Sequence, residues 1–183
     1  EIPNQNYICI SPFFSEADRK NLSAKIHELH REKKLKFLKS CLPMIFNKDL
    51  FEQNEAIYDK KDAIHYICDK LRHSGYVTAD FENEIWEREN LSTTAFHDIA
   101  IPHSIKMNAK HTSMYIIISQ KGIEWDHHNV HIVVLLAINK NERKIFQDIY
   151  DILITILTNP ASKKLLLQAE DYQAFLEILF RYY

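Results

Sequence analysis

The stretch Ile99-Ala100-Ile101-Pro102-His103 limits the fold more tightly than any other in the chain. Its first three residues are apolar and two are β-branched, the pattern of a short buried strand. Pro102 has no N–H and cannot extend a ladder, so the strand must stop there. It also biases Ile101 toward an extended backbone. His103 is thereby delivered at the carboxyl end of a buried strand, where open α/β sheets hold their ligands. Just upstream stand Arg88, Ser92, Thr93 and Thr94, a cation and three hydroxyls able to hold an anion. Residue chemistry alone therefore predicts a reactive or anion-facing histidine.

Glycine is scarce: only Gly75 and Gly122 occur in 183 residues. No glycine-rich phosphate cradle can be built from them, so P-loop, kinase and dinucleotide-binding folds are excluded. Any phosphate must be held by side chains or helix ends, or carried covalently. A net charge of −2 argues against a dedicated nucleic-acid surface. No apolar run reaches the ~18 residues of a membrane span, and the first twelve residues lack the pattern of a signal peptide. The expected location is the cytoplasm. Cys9, Cys41 and Cys68 are odd in number and far apart, which suits buried thiols in a reducing compartment better than disulfides. His127, His128 and His131 offer imidazoles without a complementary ligand cluster; they are expected on a solvated hairpin rim, and no metal or cofactor is expected.

The length fits one domain of ~150 residues plus an appendage. Tyr7-Ile8-Cys9-Ile10 reads as a strand ended by Pro12, and Ser15 with Asp18 resembles a capping box before a helix bearing Leu22, Ile26 and Leu29. The basic run Arg31, Lys33, Lys34, Lys36 and Lys39 reads as the solvated face of a linker helix, with Leu35, Leu38 and Leu42 on its apolar side. Pro43 is expected to break or kink that helix. Asp59 and Asp62 open the next helix, which buries Ile64, Ile67, Cys68 and Leu71 and ends at Gly75. Thr78 is expected to cap a helix that turns Phe81 and Ile85 inward and ends with Arg88 and Glu89. Spacing alone also allows Arg88 an ordinary ion pair with Glu84 or Glu89. Residues 114–119 and 130–138 are predicted strands, with Gly122 turning the chain between them. Asn141 is expected to cap a long helix carrying Ile145, Phe146, Ile149, Leu153, Ile156 and Leu157, ended by Asn159-Pro160. Two more helices follow, over about 162–169 and 171–182. Helices before, between and after strands predict an α/β fold, a mixed β-sheet sandwiched by helices.

Arg88-Glu89, then Ser92-Thr93-Thr94, then Ile99-Ala100-Ile101-Pro102-His103 resembles the phosphorylation motif of mannitol/fructose-type EIIA domains. These belong to the bacterial phosphoenolpyruvate-dependent sugar phosphotransferase system. The resemblance extends through Asp62-Ala63-Ile64, Leu71, Gly75-Tyr76-Val77 and Phe81, and downstream through Ile123-Glu124-Trp125 and Val130-His131-Ile132-Val133. It implies an EIIA-like domain over 44–183. Residues 1–34 resemble the tail of the EIIB-like domain, with a linker helix, that precedes EIIA in BglG/LicR-type regulators carrying PTS-regulation domains. The first residue is not Met, which suits a fragment of such a longer protein, possible homodimerisation included.

The resemblance implies a phosphoryl relay. The phosphocarrier HPr donates, the EIIA histidine accepts on Nε2, and the group passes to a Cys or His of an EIIB partner. A neutral ring nitrogen is nucleophilic near pH 7, and a nearby cation stabilises the charge in transfer. By position His103 is the acceptor, Arg88 the supporting cation and Thr94 a hydrogen-bond donor. Two departures stand out. The turn before the strand is Phe96-His97-Asp98, one residue shorter than the family's and without glycine. Transporter-type members carry a second histidine at the start of the long helix, and Arg143 is assigned to that place here. A fixed charge would retain the phosphoryl group, favouring a regulatory switch over the EIIA component of a transporter. A hydrolase built on His103, Asp98 and Ser92 lacks a nucleophile elbow and an oxyanion-hole motif.

Overall fold

The computed structural model describes residues 10 and 12–182. The chain falls into two compact units, Glu1–Lys39 and Ser40–Tyr183. Most of the strand expected at Tyr7–Ile10 lies outside the described residues. The capping box is formed: Ser15 N–H donates to Asp18 Oδ2 at 2.8 Å, and Asp18 N–H to Ser15 Oγ at 3.2 Å. It opens one helix, α1 (Glu16–Ile45), rather than two. Helix α1 runs through Pro43 and closes with Phe46 N–H on the Leu42 carbonyl at 2.9 Å. A proline in the last turn removes one hydrogen bond where the helix is about to end anyway, so it breaks nothing. Leu22 and Ile26 are exposed, whereas Leu42 and Ile45 are buried.

The second unit is built on one mixed sheet. Its strands are β1 (Phe51–Gln53), β2 (Ala95–Phe96), β3 (Ile99–Ala100), β4 (Asn108–Trp125) and β5 (His128–Asn139), in the order β1-β4-β5-β3-β2. β1 is parallel to β4, β3 is parallel to β5, and the pairs β4–β5 and β2–β3 are antiparallel. Met114–Ile118 of β4 and Ile132–Ile138 of β5 are buried at every position, so helices cover both faces of the sheet. α2 (Lys60–His73) packs on β4 and α4 (Arg143–Thr158) on β5. Between them in sequence comes α3 (Phe81–Glu89), and α5 (Pro160–Leu166) and α6 (Tyr172–Tyr182) close the unit. Among the described residues no helix is long and apolar enough to cross a membrane.

Local chemistry explains the ends. Asp59 Oδ1 caps α2 by accepting from Asp62 N–H at 2.9 Å, and Gly75, with φ 78°, follows the helix as expected. Asn159 accepts from Ala161 and Ser162 N–H at the start of α5, with Pro160 in its first turn. Three expectations need correction. Thr78 does not cap α3 with its side chain; its carbonyl accepts from Phe81 N–H at 3.3 Å, and α3 begins after Asp80, which makes no side-chain cap. Asn141 does not cap α4; Asn139 accepts the Asn141 N–H at 2.9 Å in a short 3-10 turn, and α4 starts at Arg143. Gly122 does not turn the chain. It lies inside β4, where the register with β5 shifts between Ile118 and Ile123. A Cβ there would meet the Asn129 side chain at 2.3 Å, and φ is +84°, so the glycine makes a bulge. The turn is at Asp126-His127, with Asp126 at φ 56°.

Candidate functional site

His103 is placed by the sheet. Ile99 and Ala100 pair with Ile132 and Val133 of β5, and His103 forms an isolated parallel bridge with Leu136. Between them the Pro102 carbonyl accepts from Leu136 N–H at 2.9 Å, so β5 needs only the group that proline still has. The His103 ring is half-buried, and its Nδ1 lies 2.9 Å from the Ile101 carbonyl oxygen. A carbonyl can only accept, so Nδ1 carries the proton. In the neutral ring the lone pair is then on Nε2, the atom that can act as a nucleophile.

A cleft of about 530 Å³ surrounds this ring. One wall carries Arg88 from the end of α3 with Thr93 and Thr94. Phe96, Ile99, Ile154 and Leu157 make most of the remaining lining apolar, which strengthens any charge interaction inside. Arg88 Nη1 donates to the Ser92 carbonyl at 2.8 Å; the other N–H groups of its fork remain for an anion. It forms no ion pair with Glu84 or Glu89, because both carboxylates are buried and bonded elsewhere. Glu84 accepts from Ser104 Oγ at 2.8 Å and Asn108 Nδ2 at 2.6 Å.

Glu89 has a larger part than its place in the sequence suggests. Its carboxylate accepts from the Thr94 hydroxyl, from Thr94 N–H at 3.4 Å and from Trp125 Nε1 at 3.3 Å. Lys60 Nζ stands 3.7 Å away and 2.6 Å from Asp126. The Thr94 donor is thus committed to Glu89, and the Thr94 carbonyl in turn accepts from Ile101 N–H at 3.2 Å. A line of bonds therefore runs from Glu89 through Thr94 and Ile101 to His103. The signal was present: a carboxylate five residues before a threonine at a helix end can reach back to cap the chain that leaves it.

The other candidates are dispersed. Ser92 is exposed and contributes its carbonyl, to Arg88. His97 is exposed at φ 54° in the two-residue turn between β2 and β3; it takes the left-handed conformation that a glycine would otherwise supply. Asp98 binds Lys163 Nζ at 2.8 Å, so it does not orient His103, and no triad with Ser92 is assembled. Arg143 is exposed at the start of α4 and is not among the residues lining the cleft. From α4 the cleft receives Tyr150, Ile154, Leu157 and Thr158; the Thr158 hydroxyl donates to the Ile154 carbonyl at 2.7 Å, and Tyr150 is a polar tip that the periodicity of an apolar helix conceals. Burial holds the Tyr150 phenol above its ordinary pKa, and the Asp151 carboxylate adds to this. Cys68 is buried and its thiol is pushed well up. His127 is exposed at the hairpin tip, and His131 Nδ1 lies 2.9 Å from the Ser119 carbonyl.

Comparison with known proteins gives this geometry a family. The sequence is 29% identical over 132 residues to the Probable licABCH operon regulator of Bacillus subtilis, covering 72% of this chain and 21% of that protein. It is 28% identical over 179 residues to Transcriptional regulator ManR of the same organism, covering 94% of this chain and 27% of that protein. The chain thus spans about a fifth to a quarter of these relatives' length. The fold matches that in a complex of enzyme IIAMTL and phosphorylated enzyme IIBMTL from Escherichia coli, with a TM-score of 0.63 and 20% identity, covering 73% of this chain and 96% of that one. The sequence model of the phosphoenolpyruvate-dependent sugar phosphotransferase system EIIA 2 family matches residues 44–182. With the mixed sheet and the histidine cleft both inside those residues, the chain belongs to that EIIA family.

Proposed function

We propose that this EIIA-type domain accepts a phosphoryl group from HPr on Nε2 of His103 and acts in the cytoplasm as the regulatory domain of a sugar-responsive transcriptional regulator. The observation that carries the reading is the His103 Nδ1 contact with the Ile101 carbonyl at 2.9 Å, which reserves the Nε2 lone pair for attack. In the step, Nε2 bonds to phosphorus while the P–N bond of the donor phosphohistidine breaks and its electron pair returns to the donor ring. The Nδ1 proton stays on His103, held by Ile101. Arg88 meets the negative charge on the transferring oxygens. The regulators among its relatives support the regulatory role, with residues 1–34 as the tail of a preceding EIIB-like domain and dimerisation through the full-length protein. The second reading is the EIIA component of a sugar transporter, passing phosphate to an EIIB partner; the structural match to an EIIA in complex with phosphorylated EIIB favours it.

Incubation with phosphoenolpyruvate, enzyme I and HPr, followed by mapping of the labelled residue, tests the acceptor. Label is expected on His103 alone and abolished in His103→Ala, with the fold unchanged. Label persisting in that variant, or mapping to His97, overturns the assignment. Rapid onward transfer to an added EIIB domain would favour the transporter reading.

A further inference from the structure

We infer that Tyr150, not Arg143, is the long helix's contribution to the phosphoryl site: its phenol is a neutral hydrogen-bond donor to the group carried by His103. The inference rests on the acceptor reading given above. Tyr150 lines the same cleft as His103 and Arg88. Its ring leans on Phe146, with centroids 5.7 Å apart. Among the described residues its hydroxyl has no hydrogen-bond partner, so the donor is free for a guest in the cleft. Arg143 is seven positions earlier, about 10 Å along a helix axis, and is exposed.

The choice of side chain sets the behaviour of the site. A phenol held above its ordinary pKa by burial stays protonated throughout the physiological range. It gives the phosphoryl oxygens a donor that neither adds charge nor titrates. Among the described residues that line the cleft, Arg88 is then the one fixed positive charge. An imidazole in the place of Tyr150 would change its charge between pH 5 and 8 and would make retention of the phosphoryl group depend on pH. The tyrosine removes that dependence. The phosphorylated state is held at constant strength, as suits a group that reports a condition rather than one that is handed on quickly.

The test uses the full chain phosphorylated by phosphoenolpyruvate, enzyme I and HPr, after removal of the donors. Tyr150→Phe keeps the ring and loses the donor; phosphoryl loss should be about tenfold faster, the worth of one hydrogen bond to a charged group. Tyr150→His should introduce a pH dependence of phosphoryl loss between pH 5 and 8 beyond that of the wild-type protein, a change that a merely structural role would not produce. Equal lifetimes for wild type and Tyr150→Phe, or an unaltered pH profile in Tyr150→His, overturn the inference while leaving the acceptor reading intact. A wild-type chain that takes no label at all overturns the acceptor reading, and the Tyr150 role with it. Equal thermal midpoints for the three proteins separate loss of a donor from loss of fold.

Discussion

The anion-binding role proposed for Arg88 depends on how its charge is held. Its hydrogen-bond partner is a carbonyl, Ser92 O at 2.8 Å, not a carboxylate, so its charge is oriented without being neutralised. That outcome depends on the two nearest acids being occupied, Glu84 by Ser104 and Asn108 and Glu89 by Thr94 and Trp125. Arg88→Gln should therefore slow HPr-dependent labelling of His103 by about a hundredfold, the cost of removing one preorganised donor from a site where charge develops. Its denaturation midpoint should hardly move, since the guanidinium makes one internal bond; single-turnover labelling and thermal melts measure the two effects. The motif made Arg88 and His103 legible, because proline and strand chemistry fix where the histidine must go. Glu89 and Tyr150 were harder. Glu89 read as a partner for its neighbour, since sequence does not say which way a helix-end carboxylate turns. Tyr150 sits at the margin of an apolar helix face, where an aromatic with a polar tip looks like core.

At the scale of elements, the loop 90–94 is held from outside by a charged network. Lys60, at the start of α2, lies 2.6 Å from Asp126 at the β4–β5 turn and 3.7 Å from Glu89 at the end of α3. Three elements thus meet at one ammonium. The Lys60 hydrogen bond holds the Asp126 carboxyl below its ordinary pKa against the opposing effect of burial, and Thr93 adds to it. A carboxyl depressed in the folded state contributes stability above its unfolded pKa of about 4 and loses it as pH falls through the lower folded value. Asp126→Asn should accordingly destabilise the protein at neutral pH by up to about 1 kcal/mol, the range of a partly exposed pair. That gap should begin to close as pH falls to about 4 and vanish below the lower folded value, where wild-type Asp126 is neutral too. Asparagine tolerates the left-handed backbone here as well as aspartate does, so the substitution isolates the charge. Urea denaturation of both proteins at pH 7 and at progressively lower pH measures it; a gap that is constant with pH would refute the pairing. This network is not legible in the sequence, which predicts two shorter β-strands with the chain turning at Gly122. A glycine between two apolar runs looks like a turn, and only the register of β5 shows that it is a bulge inside one long strand.

For the whole molecule, the question is where the second unit begins. The mixed sheet and its helical cover were legible because consecutive apolar β-branched runs alternate with helical periodicity and capped ends. The boundary was not, because α1 runs unbroken across it from Glu16 to Ile45 and its proline interrupts nothing. Burial marks it better than helix ends do. Leu42, Ile45 and Phe46 are all buried. Phe46 sits edge-on to Tyr172 with centroids 5.0 Å apart, to Phe175 at 5.8 Å and to Phe51 at 6.3 Å. Its carbonyl also accepts from the Tyr172 hydroxyl at 2.9 Å. The end of α1 is therefore part of the core beneath β1 and α6. Removal of residues 1–34 should leave a protein that unfolds in one cooperative transition, with a midpoint close to that of the full chain, and that still accepts label on His103. Removal of residues 1–46 should not. Losing Phe46 alone forfeits about 3–5 kcal/mol, the cost of emptying a buried aromatic site, a large share of the ~5–15 kcal/mol by which domains are stable. Urea titrations of the two truncations separate the cases. A shorter truncation that melts without cooperativity would place residues before 35 in the core, and a longer one as stable as the full chain would take Phe46 out of it.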